Sequence, residues 1–229
     1  MSPIIRFDQV SVSVHEKMLL SDVSFDLFAG EKAVLCGKSG SGKSSVLRTL
    51  LGLHPLSGGM VYFQGEPLDP ASILTIRNHT AYVGQEPILG AESVREALLL
   101  PFGFKAHQSH KPREDQIIEV LRRLHLPADI LHQESSRISG GEKQRIALAR
   151  SLLLGKNLYL LDEVTSALDK ASKQAVFDVF SDSSLTVLSV AHDPDWMARC
   201  DLVFELEEGR LTKRSGRSGK VSNMQDTGV

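Results

Sequence analysis

An α/β fold with a mainly parallel sheet, an N-terminal antiparallel β portion and an inserted helical segment is predicted by three features of the sequence. Short, wholly apolar runs alternate with stretches of helical periodicity, the pattern of strands joined by crossover helices. The first thirty residues instead alternate apolar and polar positions. Between these two patterns lies a glycine-rich turn that separates a buried strand from a helix.

The elements follow in order. Ile5, Phe7, Val10, Val12 and Val14 are apolar with mostly polar residues between them, and Val23, Phe25 and Leu27 alternate with Ser24 and Asp26. A period of two fits half-buried strands of an antiparallel sheet. Ala33 to Cys36 is short and apolar, as in a strand buried on both faces. Past the glycine turn, Val46, Leu47, Leu50 and Leu51 give helical spacing over residues 44–53. Helices are also expected over residues 91–100 and 115–124, the second with Ile117, Ile118, Leu121 and Leu124 on one face, and the polar residues 105–112 between them read as a loop. Residues 158–161, 186–191 and 202–206 return to short apolar strands, with a helix near residues 172–180. One domain is expected over residues 1–211, with the helical insertion at about 88–153. The basic, Ser/Gly-rich residues 212–229 read as a disordered tail.

Composition narrows the function. The 229 residues are 41% hydrophobic, enough for a sizeable core. A net charge of −2 and only 6% aromatics argue against nucleic acid as a partner. The two cysteines, Cys36 and Cys200, lie far apart and outside any Cys/His cluster, so neither a disulfide framework nor a zinc site is expected. The N-terminus lacks the charged-then-apolar pattern of an export signal. The longest apolar run, near residues 97–104, is broken by Pro101 and Gly103, short of the roughly 20 residues of a membrane span. A cytoplasmic chain is expected, and any membrane role needs a partner that spans.

Three motifs carry chemistry. Gly37-Lys38-Ser39-Gly40-Ser41-Gly42-Lys43-Ser44, with Ser45 following, has the phosphate-loop pattern. Its glycines let backbone N–H groups turn toward phosphate oxygens, and the helix start adds the positive end of its dipole. In such a loop Lys43 reaches the β- and γ-phosphates and the Ser44 hydroxyl ligates Mg²⁺. A plain glycine turn would not require the strand before it and the helix after it. Next, the apolar run 158–161 ends in Asp162 and Glu163. Asp162 is suited to hold Mg²⁺ and Glu163 to act as general base. A lone acid at a strand end is commonly just solvated; a second one directly after it, downstream of a phosphate loop, favours catalysis. Third, in Ile138-Ser139-Gly140-Gly141-Glu142-Lys143-Gln144-Arg145, Ser139 is suited to cap a helix and the glycine pair leaves N–H groups open to an anion. In isolation an ordinary helix cap would account for it. One nucleotide does not need two such helix starts from one chain, so the spare one is expected to serve a nucleotide held by a second subunit.

Together these residues resemble an ATP-binding-cassette (ABC) ATPase, over nearly the whole chain from Ile4 to about Leu211. The resemblance implies a P-loop NTPase fold with a RecA-like core sheet, and ATP and Mg²⁺ as ligands. It also implies roles for residues that would be anonymous alone. Gln85, after Ala81-Tyr82-Val83, contacts Mg²⁺ and the attacking water and senses the membrane partner. Ser139, Gly140, Gly141 and Glu142 form the signature that closes over the opposite subunit's ATP, and Ser166-Ala167-Leu168-Asp169 is the loop that crosses the dimer interface. His192, after the strand 186–191, contacts the γ-phosphate. Two departures stand out. Val14, followed by His15, falls where the family usually has an aromatic that stacks on adenine, and Glu142 stands where glutamine is commoner.

The resemblance implies a transporter subunit that forms a homodimer on ATP and works on the cytoplasmic face of the membrane with a separate permease. The helical segment would receive a cytoplasmic helix of that permease. Residues 84–90 followed by a helix are similar to export-type cassettes, and residues 162–169 with His192-Asp193 to bacterial subunits of iron export or metal resistance. A non-transport cassette acting as a mechanochemical regulator would share every motif. A small-molecule kinase would share only the phosphate loop. Stacking on a base is worth about 1–3 kcal/mol, so its loss at Val14 relaxes base selectivity. GTP is expected to compete almost as well as ATP in a nucleotide-binding assay, and a preference for ATP of about a hundredfold or more would overturn that expectation.

Overall fold

The alternation of the first strand slips by one residue after Phe7, and the backbone slips with it. β1 (Ile5–Val14) pairs antiparallel with β2 (Lys17–Leu27), and the register shifts between Phe7 and Val10, where Gln9 has a φ of 50°. The extra residue of a bulge turns the following positions back to the inner face, and Val10 and Val12 are fully buried. His15 and Glu16 close the hairpin with φ of 45° and 64°, the left-handed pair that matches strand twist.

The computed structural model describes residues 2–216 and 222–223. After the hairpin come β3 (Lys32–Cys36), α1 (Lys43–Leu50), β4 (Gly58–Phe63), β5 (Glu66–Pro67), α2 (Ile73–His79) and β6 (Thr80–Val83). The helical middle holds α3 (Val94–Leu99), α4 (Glu114–Arg123) and α5 (Gly140–Leu153). The remainder is β7 (Leu158–Asp162), α6 (Lys170–Phe180), β8 (Thr186–Val190), α7 (Pro194–Met197), β9 (Leu202–Glu207), β10 (Arg210–Gly216) and β11 (Ser222–Asn223). The chain forms two compact units: one of residues up to Thr80, Asn157–Asp162 and Ser183 onward, the other of Ala81–Lys156 and Glu163–Asp182.

In the first unit, an antiparallel sheet has the order β2-β1-β4-β5. A second runs β11-β10-β9-β3-β8-β7, with β9, β3, β8 and β7 parallel and β10 and β11 antiparallel at its edge. Strand β3 lies in the middle, and Ala33, Val34 and Leu35 are wholly buried, which is why it has no polar alternation. Aromatic rings join the two sheets: Phe7 stacks on Phe25 with centroids 4.7 Å apart, and Phe25 meets Phe204 of β9 at 5.0 Å. Val46, Leu47 and Leu50 of α1 enter the same core.

The second unit is built on helices. Ser93 and Glu96 form a reciprocal capping box that starts α3 at Val94, and Pro101 lies in the 3-10 turn Leu100–Gly103 that follows it, so the helix is shorter than the expected 91–100. Ile117, Leu121 and Leu124 are buried, but Ile118 is 39% exposed. Helical rotation of about 100° per residue carries Ile118 off the stripe set by the other three, which corrects its placement on that face.

Other expectations also shift. Helix α1 closes at Leu50 rather than 53, because the Gly52 and Leu53 N–H groups bond back to the Thr49 and Arg48 carbonyls. Strand β10 runs to Gly216 in register with β9, so the ordered chain passes the expected limit at residue 211. Sheet pairing, indifferent to side-chain polarity at an edge, accounts for this. The rest of the expected tail, apart from β11, falls outside the described residues. Among the described residues no helix is long and apolar enough to cross a membrane.

All of β7 and β8 is buried, including the hydroxyl of Ser189. Ser189 Oγ accepts the Trp196 indole N–H at 2.8 Å and donates to the Ala33 carbonyl at 2.9 Å, which ties α7 to the β3–β8 pair. Ser189→Ala strands both partners. It is expected to cost about 1–3 kcal/mol in denaturant unfolding, and an unchanged midpoint would contradict this.

Candidate functional site

Parallel strands bring their C-terminal ends to one edge, where ligands of such sheets bind. In the first unit Leu35 lies opposite Val190, and Val190 opposite Asp162, so β3, β8 and β7 end level. From these ends come the phosphate loop, His192, which is exposed, and Asp162, which is 2% exposed.

Main chain holds the loop in shape. Gly37 has a φ of 129°, and a Cβ there would lie 2.1 Å from the Leu206 carbonyl oxygen. Gly42 has a φ of 105°, and its Cβ would lie 2.5 Å from the Leu19 oxygen. No other residue type fits either position without moving backbone. The Gly209 N–H donates to the Ser41 carbonyl at 2.9 Å, and the Ser21 N–H to the Gly209 carbonyl at 2.9 Å. The loop thus rests on β2 on one side and the β9–β10 turn on the other.

Inside it, Lys43 is 5% exposed and its Nζ donates to the Gly37 and Lys38 carbonyls, each at 2.9 Å. The Ser44 hydroxyl donates to Asp162 Oδ1 at 2.9 Å. The structure therefore gathers Lys43, Ser44 and Asp162 at the head of α1. The Ser41 hydroxyl is buried without a hydrogen-bond partner, an orphan that an incoming phosphate oxygen can satisfy. Ser45 is half-buried on α1. Lys38, Ser39 and Gly40 are exposed on the wall of a cavity of about 570 Å³ that Arg210 also lines. Val14 packs half-buried on the core at the end of β1 and offers no aromatic face.

In the second unit, Gln85 Nε2 donates to Glu163 Oε2 at 3.0 Å. Glu163 has a φ of 52°, unfavourable for a residue with a side chain and typical of functional positions. Its carbonyl accepts from the Ser166 hydroxyl at 2.9 Å and the Ser166 N–H at 3.2 Å. Asp169 caps α6 through the Ser172 N–H and hydroxyl, which hold its carboxyl below the usual range.

Ser139 caps α5 as its sequence implies, in a capping box with Glu142. Hydrogen bonds from the Ser139 hydroxyl and N–H hold the Glu142 carboxyl below the usual range. Gly140 has open space around it, and a Cβ on Gly141 would lie 3.4 Å from the Ala167 carbonyl oxygen.

Two residues were missed in the sequence. Gln144, 2% exposed, donates to the Gly84 carbonyl at 3.4 Å, and Arg150 donates to the Leu89 and Ile88 carbonyls at 2.8 and 2.9 Å. Together they tether α5 to the segment that carries Gln85. The available signal was Gln144 on the stripe of Leu148 and Ser151, a polar side chain in a buried row.

Known proteins resemble this chain over most of its length. The ABC transporter family model matches residues 20–166. The chain is 32% identical over 210 residues to "Probable iron export ATP-binding protein FetA" of Escherichia coli (strain K12), covering 90% of this chain and 92% of that one. It is 30% identical over 220 residues to "Energy-coupling factor transporter ATP-binding protein EcfA1" of Mycoplasma pneumoniae (strain ATCC 29342 / M129 / Subtype 1), covering 95% and 80%. The solved "Dimeric Structure of MJ0796, a Bacterial ABC Transporter Cassette" superposes with a TM-score of 0.80 at 25% identity, covering 94% of this chain and 100% of that one. With a family match over more than half its length and a relative it covers almost end to end, the chain belongs to the ABC transporter family, as one of its ATP-binding cassettes.

Proposed function

We propose that this chain hydrolyses MgATP as the ATPase subunit of a transporter: two copies close head-to-tail around two nucleotides and drive a separate membrane-spanning partner. The observation that carries this reading is the Ser44–Asp162 pair at the head of the phosphate loop. Its hydroxyl and carboxylate are hard oxygen donors that would suit Mg²⁺. Among the described residues no group of three or more His, Cys, Asp or Glu side chains could hold a metal ion. Gln85 is the third candidate ligand. Bound Mg²⁺ supplies charge neutralisation on the β- and γ-phosphates.

The chain's own residues do the rest. The loop N–H groups and the α1 dipole hold the phosphates. Lys43 exchanges the Gly37 and Lys38 carbonyls for phosphate oxygens. Val14 packs on the base. Gln85 holds Glu163, which orients the attacking water and takes its proton. His192 donates to the γ-phosphate, and Ser139 to Glu142 of the second copy cover it. Orientation and fixed charge supply most of the rate.

Exposed apolar side chains of the second unit support docking to the membrane partner. Ile88 is 75% exposed and Phe104 63%, and Ile88 lines a cleft of about 210 Å³ with Tyr82, Pro87, Pro101, Glu86 and Arg150. A cytoplasmic helix fits such a surface. The export direction rests on residues 84–90 and on the likeness to a relative named for iron export, which makes a metal ion the cargo this reading favours.

Glu163→Gln is expected to lower ATP turnover by at least about 10²-fold while ATP still binds; normal phosphate release would refute the base assignment. Lys43→Ala should instead weaken nucleotide binding in equilibrium dialysis, and unchanged binding would remove its role. Ile88→Asp should abolish co-purification with the membrane partner and leave the ATPase of the isolated chain intact. Retained co-purification would move the docking face elsewhere.

A further inference from the structure

Both donors of Ser139 are already engaged. Its hydroxyl donates to Glu142 Oε2 at 2.6 Å, and its backbone N–H donates to the same oxygen at 3.0 Å. A serine hydroxyl carries one proton, so while it points to Glu142 it cannot point to a phosphate. Arg145, one turn further along α5, favours that carboxylate through space but makes no direct ion pair with it. Its guanidinium turns to the carbonyls of Gly141, Leu124 and His125, at 3.4, 3.3 and 2.8 Å. The approach itself is open, since Ser139 and Gly140 are exposed and nothing lies within 4 Å of a Cβ on Gly140.

We propose that Glu142 is a positioning residue that competes with the partner copy's γ-phosphate for Ser139, and so acts as a built-in brake on ATP-dependent pairing. This rests on the reading that Ser139 to Gly141 cover the nucleotide of a second copy. An anion already caps the helix start to which the phosphate must come. Pairing therefore gives up a charge-assisted hydrogen bond and brings two like charges together. Glutamine at 142 keeps the capping box, because its amide oxygen still accepts the Ser139 N–H. It removes the charge and leaves only a neutral bond to the hydroxyl. The brake is thus set by one atom type, not by the shape of the helix start.

The test is the dimer dissociation constant with MgATP, measured by analytical ultracentrifugation on Glu163→Gln and on Glu163→Gln/Glu142→Gln, a background chosen to limit turnover. The double variant is expected to pair about tenfold more tightly, the factor that separates charge-assisted from neutral hydrogen bonds. With Glu163 intact, Glu142→Gln should lower the protein concentration at half-maximal ATPase by a similar factor. Damage to the helix cap could only weaken pairing, so the sign of the change separates competition from a structural role. Equal or weaker pairing in the double variant, with Ser139→Ala still weakening the dimer, would overturn the brake and leave the dimer reading standing. If ATP induces no pairing, or if neither Ser139→Ala nor Gly140→Trp alters it, the dimer reading itself falls and the brake with it.

Discussion

The phosphate loop keeps its shape because backbone presses on it from two sides. The Leu206 carbonyl stands against Gly37, the Leu19 carbonyl against Gly42, and the Gly209 main chain links Ser41 to Ser21. These walls belong to β9, its turn and β2, and the Phe25–Phe204 contact fixes β2 and β9 to each other. Core packing therefore sets the width of the slot in which the loop lies. The loop in turn sets where α1 starts, which puts Lys43 beneath the loop and Ser44 level with Asp162.

Much of this could be read from residues in sequence order. The motif 37–44 names its own chemistry, and the phase slip between Phe7 and Val10 already records the bulge at Gln9. What could not be read depends on distant partners. Nothing near Gly209 says that its N–H will hold the phosphate loop, because the requirement comes from Ser41, far away in sequence. Gln144 and Arg150 look like faults in an amphipathic row until the carbonyls of Gly84, Ile88 and Leu89 are seen beside them. Strand β10 carries a composition that reads as disordered, and only its neighbour β9 makes it a strand.

Asp162 and Glu163 show how closely different duties can be set. One closes strand β7 of the first unit and the other opens the second segment of the second unit. Asp162 lies in regular β-structure, whereas Glu163 turns left-handed at once. Such a conformation costs about 1–3 kcal/mol, and the two bonds from Ser166 to its carbonyl hold it in place. The abrupt turn lets neighbouring carboxylates, similar in chemistry, face different partners: the Ser44 hydroxyl for one and the Gln85 amide for the other.

Lys43 also braces the turn that precedes it. Its ammonium, buried against the Gly37 and Lys38 carbonyls, ties the first turn of α1 back to the start of the loop. Glycine gives the segment its freedom to curl, and the lysine takes up the slack.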